Sequence, residues 1–177
     1  MAYNPFNKRI GERLCPNDLQ DLVKQEVAEG YFIECKRQLP KTLKIARSIA
    51  LFANTYGGWY IVGAKTNEHN VITAIDGFTQ GSCPDPISVV REAAKQHTDP
   101  VPMFFVSLVE LDTGNLVLVV NVPGNQDTPF ITSDGRLYRR THDSSDPVPE
   151  TSRYALDQLM ERGQLASKRF ALKGVST

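Results

Sequence analysis

The sequence is poor in most features that announce a function. Its 3 cysteines, Cys15, Cys35 and Cys83, are an odd number at wide spacings. They match neither a disulfide framework nor a zinc pattern and are expected to be buried or incidental thiols. The 3 histidines, His69, His97 and His142, are equally scattered, so no metal site is expected. No run approaches the roughly 18 apolar residues of a membrane helix. Residues 1–10 hold neither an apolar core nor a small-residue cleavage site, which predicts a cytoplasmic protein with no membrane partner. The glycine pair Gly57-Gly58 runs from helix into strand, the reverse of a phosphate loop, and no Gly-Lys-Ser or Gly-Lys-Thr follows it. Nucleotide binding therefore has no residues behind it, and no cofactor is expected. Missing too is any excess of charge: 20 Lys+Arg stand against 20 Asp+Glu, a net of +0. At face value that zero argues against a nucleic-acid partner.

What is present reads as one globular domain. The 177 residues, 41% hydrophobic and 23% charged, are enough to bury a core and too few for two large domains. Pro16-Asn17-Asp18 precedes apolar residues at helical spacing, predicting a helix over 17–29 with Gly30 as its stop. Residues 31–36 alternate as a half-buried strand. Residues 41–54 carry the strongest helical period, with Ile45, Ile49 and Phe52 on the apolar half and Lys44 and Arg47 on a basic arc. Strands are expected over 59–65 and 71–75 as a hairpin, a helix over 84–96, and a long hairpin from 103–111 and 116–122 around Asp112-Thr113-Gly114-Asn115. A turn at Asp134-Gly135 leads to a strand over 136–140, and a last helix runs from Thr151 or Ser152 to about Met160. The order predicts an α+β fold, a single domain with a mixed β-sheet, hairpins and flanking helices. Residues 1–16 form an N-terminal extension, 17–162 the domain, and 163–177 a basic C-terminal tail.

Counted by segment, the zero dissolves. Residues 35–65 hold Lys36, Arg37, Lys41, Lys44, Arg47 and Lys65 with no acid, a charge of +6, and Arg136, Arg139 and Arg140 add +3. Residues 66–135 carry −7 and residues 162–177 carry +4. A solvated helix face usually interleaves its charges, whereas this one has no acid at i,i+4 to pair with its cations. A polyanion would relieve their repulsion, with Arg gripping phosphates in bidentate fashion. Within Arg136-Leu137-Tyr138-Arg139-Arg140, Tyr138 either stacks a base among the arginines or belongs to the core, with Arg136 and Arg140 guarding a sheet edge.

Glu34-Cys35-Lys36, an amphipathic helix, Phe52-Ala53-Asn54-Thr55-Tyr56-Gly57-Gly58 and a strand ending Ile61-Val62-Gly63 together resemble the AlbA-like domain of the Schlafen group, also described as divergent AAA. Val122-Pro123, Pro129-Phe130, Gly135, Tyr138-x-Arg140 and the closing helix extend the resemblance over about residues 17–160. It implies an α+β fold and nucleic-acid binding in transcriptional regulation. It also implies, for the nucleases of the group, three carboxylates, two of them five residues apart; Glu29 and Glu34 have that spacing as candidate catalytic residues. Such carboxylates hold divalent cations that activate water. Where the third should fall stands Lys65-Thr66, a cation that would repel the metal, with Glu68 or Asp76 as substitutes. Without catalysis, Glu29 is a helix-end acid and Glu34 an exposed strand residue paired with Arg37 or Lys65. The loop Thr141-His142-Asp143-Ser144-Ser145 departs from the small Gly-Ser-Ser loop of the family, and its acid argues against phosphate binding there.

The expectation is a non-catalytic nucleic-acid-binding domain, DNA over RNA, using Lys36, Arg37, Lys41, Lys44 and Arg47 with Arg136, Tyr138, Arg139 and Arg140, mainly on phosphates. Two alternatives stand beside it: a metal-dependent ribonuclease using Glu29 and Glu34, and a protein-interaction module docking a basic partner on the acidic residues 66–135. The acidic regions confine binding to one face, which a homodimer would double.

Overall fold

β2 (Gly57–Val62) and β7 (Leu116–Pro123) are near-continuous apolar runs, buried almost throughout because both faces of their sheet are covered. A computed structural model describes residues 3–124, 126, 129–140 and 147–173, without side chains for 82 and 166–173. β7 pairs antiparallel with β2 and with β6 (Phe105–Glu110), and β1 (Ile33–Lys36) pairs parallel with β2, giving the order β1-β2-β7-β6. A parallel pair needs a crossover, and α2 (Thr42–Asn54) supplies it. Strand alternation then assigns the two layers. Ile33, Cys35, Trp59, Ile61, Val117 and Val119 pack with Leu19 and Leu22 of α1 (Pro16–Lys24) and with Phe6. Tyr60, Val62, Leu118 and Val120 pack against α2 and α3 (Pro86–His97).

Three short antiparallel pairs complete the fold: β3 (Ala64–Thr66) with β4 (Ile72–Ile75), β5 (Thr98–Asp99) with β8 (Ile131–Thr132), and β9 (Tyr138–Arg139) with β10 (Val148–Pro149). α4 covers Arg153–Lys173. This is the single α+β domain with mixed sheets expected from the pattern. No helix among the described residues is long and apolar enough to cross a membrane.

Three boundaries differ from the sequence reading. The first helix ends at Lys24, five residues before 29. Glu26 takes a left-handed φ of 51°, and the amides of Glu26 and Val27 bond back to Val23 and Leu22, a closure that ordinarily uses glycine. The strand expected over 59–65 is two, because Gly63 turns at φ 106° and hands the chain from the main sheet to the β3–β4 hairpin. A Cβ at Gly63 would stand 2.8 Å from the Gly77 Cα, so only glycine passes there. The third concerns the expected tail: α4 continues through Gly163 to Lys173. Extending an existing helix adds one hydrogen bond per residue fixed, and Gln, Leu, Ala, Lys and Arg carry it past one glycine. The Thr141–Ser145 loop and the side chains of Lys168, Arg169 and Lys173 lie outside the described residues.

Candidate nucleic-acid interface

α2 buries Ile45, Ala46, Ile49, Phe52 and Ala53 and leaves its first turn in solvent. That turn is built against the usual rule. A helix N-terminus carries partial positive charge, and a side-chain oxygen or an acid normally sits there. Here Lys41 is the N-cap with no side-chain cap, Lys44 follows in the first turn, and no acid is present. Arg37, Lys41 and Lys44 are all exposed, and none makes an ion pair among the described residues.

The turn between β8 and β9 is tied to the same end of α2. Arg47 pairs with Asp134 at 2.7 Å and lies over the Tyr138 ring at 5.3 Å. The Tyr138 hydroxyl donates to the same carboxylate at 2.8 Å, and the Thr132 hydroxyl donates to its other oxygen. Burial pushes the Asp134 carboxyl up, but the hydrogen bonds from Thr132, Tyr138 and Arg47 outweigh it and hold the group well below the usual carboxylate range. His97 makes a second tie, bonding Thr42 through Nε2 at 3.2 Å and Ser133 through Nδ1 at 2.8 Å. Exposed Arg136 follows Asp134 by two residues in this turn.

The structure divides the other residues that the sequence singled out. Tyr138 is 2% exposed and belongs to the core around α2, so it is unavailable to stack a base. Arg140 is not a sheet-edge or phosphate-binding cation. Its side chain is 1% exposed, donates to the carbonyls of Gly30 and Ile33, pairs with Glu34 Oε2 at 3.3 Å and lies over the Phe52 ring. Arg139 faces Glu150 at 3.3 Å and Lys36 faces Glu34 at 3.2 Å, both half-buried. Arg47 contributes its charge to Asp134 rather than to solvent. The exposed cations that remain are Arg37, Lys41, Lys44 and Arg136.

Glu34 is likewise internal rather than exposed. Its side chain is 1% exposed, with Oε1 accepting from the Ser48 hydroxyl at 3.0 Å and meeting Lys36, and Oε2 meeting Arg140. Its partners are therefore Arg140 and Lys36, not Arg37 or Lys65. Glu29 Oε1 accepts the Cys35 amide at 2.6 Å, anchoring the start of β1, and Thr66 donates to Oε2 at 3.5 Å. Burial, reinforced by the nearby Glu29 charge, pushes the Cys35 thiol up and keeps it protonated. Lys65, at the position of the missing carboxylate, pairs with Asp76. No group of three or more His, Cys, Asp or Glu suited to a metal ion occurs among the described residues. A divalent cation does not fit: Glu34 is enclosed by two cations and Asp76 is held by a third.

Sequence reasoning missed the residues that assemble this region. Asn54 is buried, donates to the carbonyls of Phe130 and Tyr138 at 2.8 and 3.0 Å, and accepts the Phe130 amide at 2.8 Å. Thr55 donates to Leu51 and accepts the Arg140 amide at 3.0 Å. Arg162 reaches from α4 to the carbonyls of Thr55 and Ala53, closing the C-terminus of α2. Burial pulls its guanidinium down from the usual value, and neighbouring Arg139 acts in the same direction. Gly57 has φ 83°, and a Cβ there would stand 2.5 Å from the Gly124 amide. The Phe52–Gly58 run is thus a structural joint between α2, β2 and the β8–β9 strands.

With that geometry in hand, comparison with known proteins is direct. The family model described as Schlafen, AlbA_2 matches residues 29–149. Among solved structures, the DIP2311 protein of Corynebacterium diphtheriae aligns with a TM-score of 0.49 and 20% identity over 82% of this chain. The chain spans 28% of that protein's length. No curated protein matches. The match covers well over half the sequence and includes the Glu34-to-Gly63 segment and the Tyr138-x-Arg140 strand, and the chain therefore belongs to the Schlafen, AlbA_2 family.

Proposed function

We propose that this domain binds DNA through phosphate contacts made by Arg37, Lys41, Lys44 and Arg136, in a regulatory role with little direct base readout. The family is consistent with a nucleic-acid-binding role in general. The observation that carries the finer reading is the first turn of α2, where two lysines occupy the positive end of a helix with no acid to offset them. A phosphate placed there meets both the side-chain charge and the positive end of the helix dipole, which removes the conflict. Local rules of this kind are broken mainly where function demands it.

Anisotropy titrations against duplex DNA, single-stranded DNA and RNA at two salt concentrations test the proposal. Each phosphate neutralised contributes about 0.9 to the slope of log K against log salt. Lys41→Ala with Lys44→Ala is expected to lower that slope by up to about 2, whereas Arg47→Ala, already paired with Asp134, lowers it by less. Binding that is absent at low salt, or insensitive to salt, contradicts it.

A further inference from the structure

The main sheet treats its two edges differently. At β1 the outward backbone groups have partners: the Ile33 carbonyl accepts from the Gly30 amide at 3.0 Å and from Arg140, and the Cys35 amide donates to Glu29 Oε1. At β6 the outward groups can be identified from the strand beside it. Leu116 of β7 exchanges both of its backbone bonds with Phe78, at 2.8 and 2.9 Å, so its N–H and C=O point away from β6. Its opposite number Glu110 is therefore turned outward too, and by alternation so are Leu108 and Val106. These outward groups have no partner among the described residues.

A free edge is a template for another strand, and monomeric proteins blunt it with proline, lysine, a bulge or short length. β6 has none of these devices. Phe105–Glu110 is 6 residues long, holds no proline, lysine or arginine, and runs along β7 without a register shift. The minor strands are blunted by comparison: β5, β8, β9 and β10 have 2 residues each, and the β3–β4 pair shifts register between Lys65 and Thr66. Apolar side chains also stand open on β6, with Phe105 42% and Leu108 36% exposed.

The order of residues in β6 selects the strand that fits it. Antiparallel self-pairing about Leu108 sets outward residues against outward residues: Leu108 meets Leu108 of the second copy, and Val106 meets Glu110 of the second copy. Every outward N–H and C=O of the three then finds a partner, about six bonds across the junction. Glu110 is the only charge in the strand, and this register sets it against valine rather than against itself, so like charges do not meet. A register shifted by one residue would set open groups against groups committed to β7. An edge that satisfies itself in this way is the self-complementary patch that a two-fold dimer requires.

We infer that β6 is a homodimer interface, on which a second copy of this chain adds its own β6 antiparallel, with the two-fold axis at Leu108. The two four-stranded sheets become one continuous sheet. Because the axis stands perpendicular to that sheet, the layers holding α2 lie on the same side. On the reading proposed above, both cationic turns then act on one nucleic acid, which raises avidity. The pairing itself does not depend on that reading.

Sedimentation equilibrium of the full chain without nucleic acid tests the interface. Wild type is expected at twice the chain mass at micromolar concentration. Leu108→Lys and Leu108→Glu, at an exposed position, are each expected to sediment as monomers with wild-type circular dichroism and urea midpoints, because each sets like charges together at the axis. An equimolar mixture of the two variants is expected to recover the dimer mass, since the introduced charges attract only if position 108 meets itself. Monomeric wild type, which would leave the edge to a strand of another protein, overturns the inference. So does a dimer that both variants retain, or a mixture that stays monomeric. A monomeric wild type that still binds duplex DNA with the expected salt dependence leaves the phosphate-binding proposal standing.

Discussion

At the scale of single residues, a carboxylate and an arginine far apart in sequence meet in the interior. Glu34 and Arg140, each 1% exposed, enclose one another with help from Ser48, Lys36 and two carbonyls. Removing one partner strands a buried charge, so Glu34→Gln is expected to lower unfolding stability by about 3–5 kcal/mol in a denaturant titration. A loss of under about 1 kcal/mol would show that Glu34 is not held as a structural ion. Asp134 supplies a pH dependence with a definite sign. Its folded-state carboxyl lies below the unfolded value of about 3.9, so its contribution is present above that pH and is lost as pH falls toward the folded value. Asp134→Asn is therefore expected to be less stable than wild type at neutral pH and to show a shallower decline between about pH 5 and pH 2, read by urea midpoints at each pH.

At the scale of elements, the Phe52–Gly58 joint explains why the motif was visible in the sequence while its role was not. Periodicity located α2, β2 and the β6–β7 hairpin, because an amphipathic face and an alternating strand are written in neighbouring residues. It did not show that Asn54 staples Phe130 and Tyr138, contacts 76 and 84 residues away, nor that Arg140 closes on Glu34 across 106 residues. Those pairings follow from strand order, which local pattern does not encode. Tyr138 shows the same gap: its flanking arginines suggest an exposed platform, whereas strand alternation and Asp134 place it in the core. Asn54→Ala leaves two carbonyls and one amide without partners. It is expected to cost about 3 kcal/mol, with faster hydrogen exchange at the Phe130 amide as the specific readout. Unchanged protection at Phe130 would remove Asn54 from this role. Gly57→Ala combines a positive φ with a 2.5 Å overlap against backbone and is expected not to yield a stable fold.

At the scale of the molecule, a net charge of +0 conceals a surface sorted by use. Structure narrows the +6 and +3 clusters, since Arg47, Lys65 and Arg139 pair with Asp134, Asp76 and Glu150, and Lys36 and Arg140 share Glu34. Arg37, Lys41, Lys44 and Arg136 remain, gathered at the start of α2 and the β8–β9 turn. Segment counting could not tell committed charges from open ones, because the acids that commit them come from other elements. The acids of residues 66–135 are divided in the same way, with Asp76 and Asp134 in ion pairs and Asp85 capping α3.

Charge reversal at the first turn of α2 separates binding from stability most directly. Lys41→Glu with Lys44→Glu replaces two cations at the positive end of a helix by anions, which favours the helix by about 0.3–1 kcal/mol per site. The double variant is expected to unfold at a higher denaturant concentration than wild type while losing duplex DNA binding in the same low-salt buffer. Duplex affinity equal to wild type in a variant so stabilised would contradict the assignment of α2's first turn as the phosphate-binding surface.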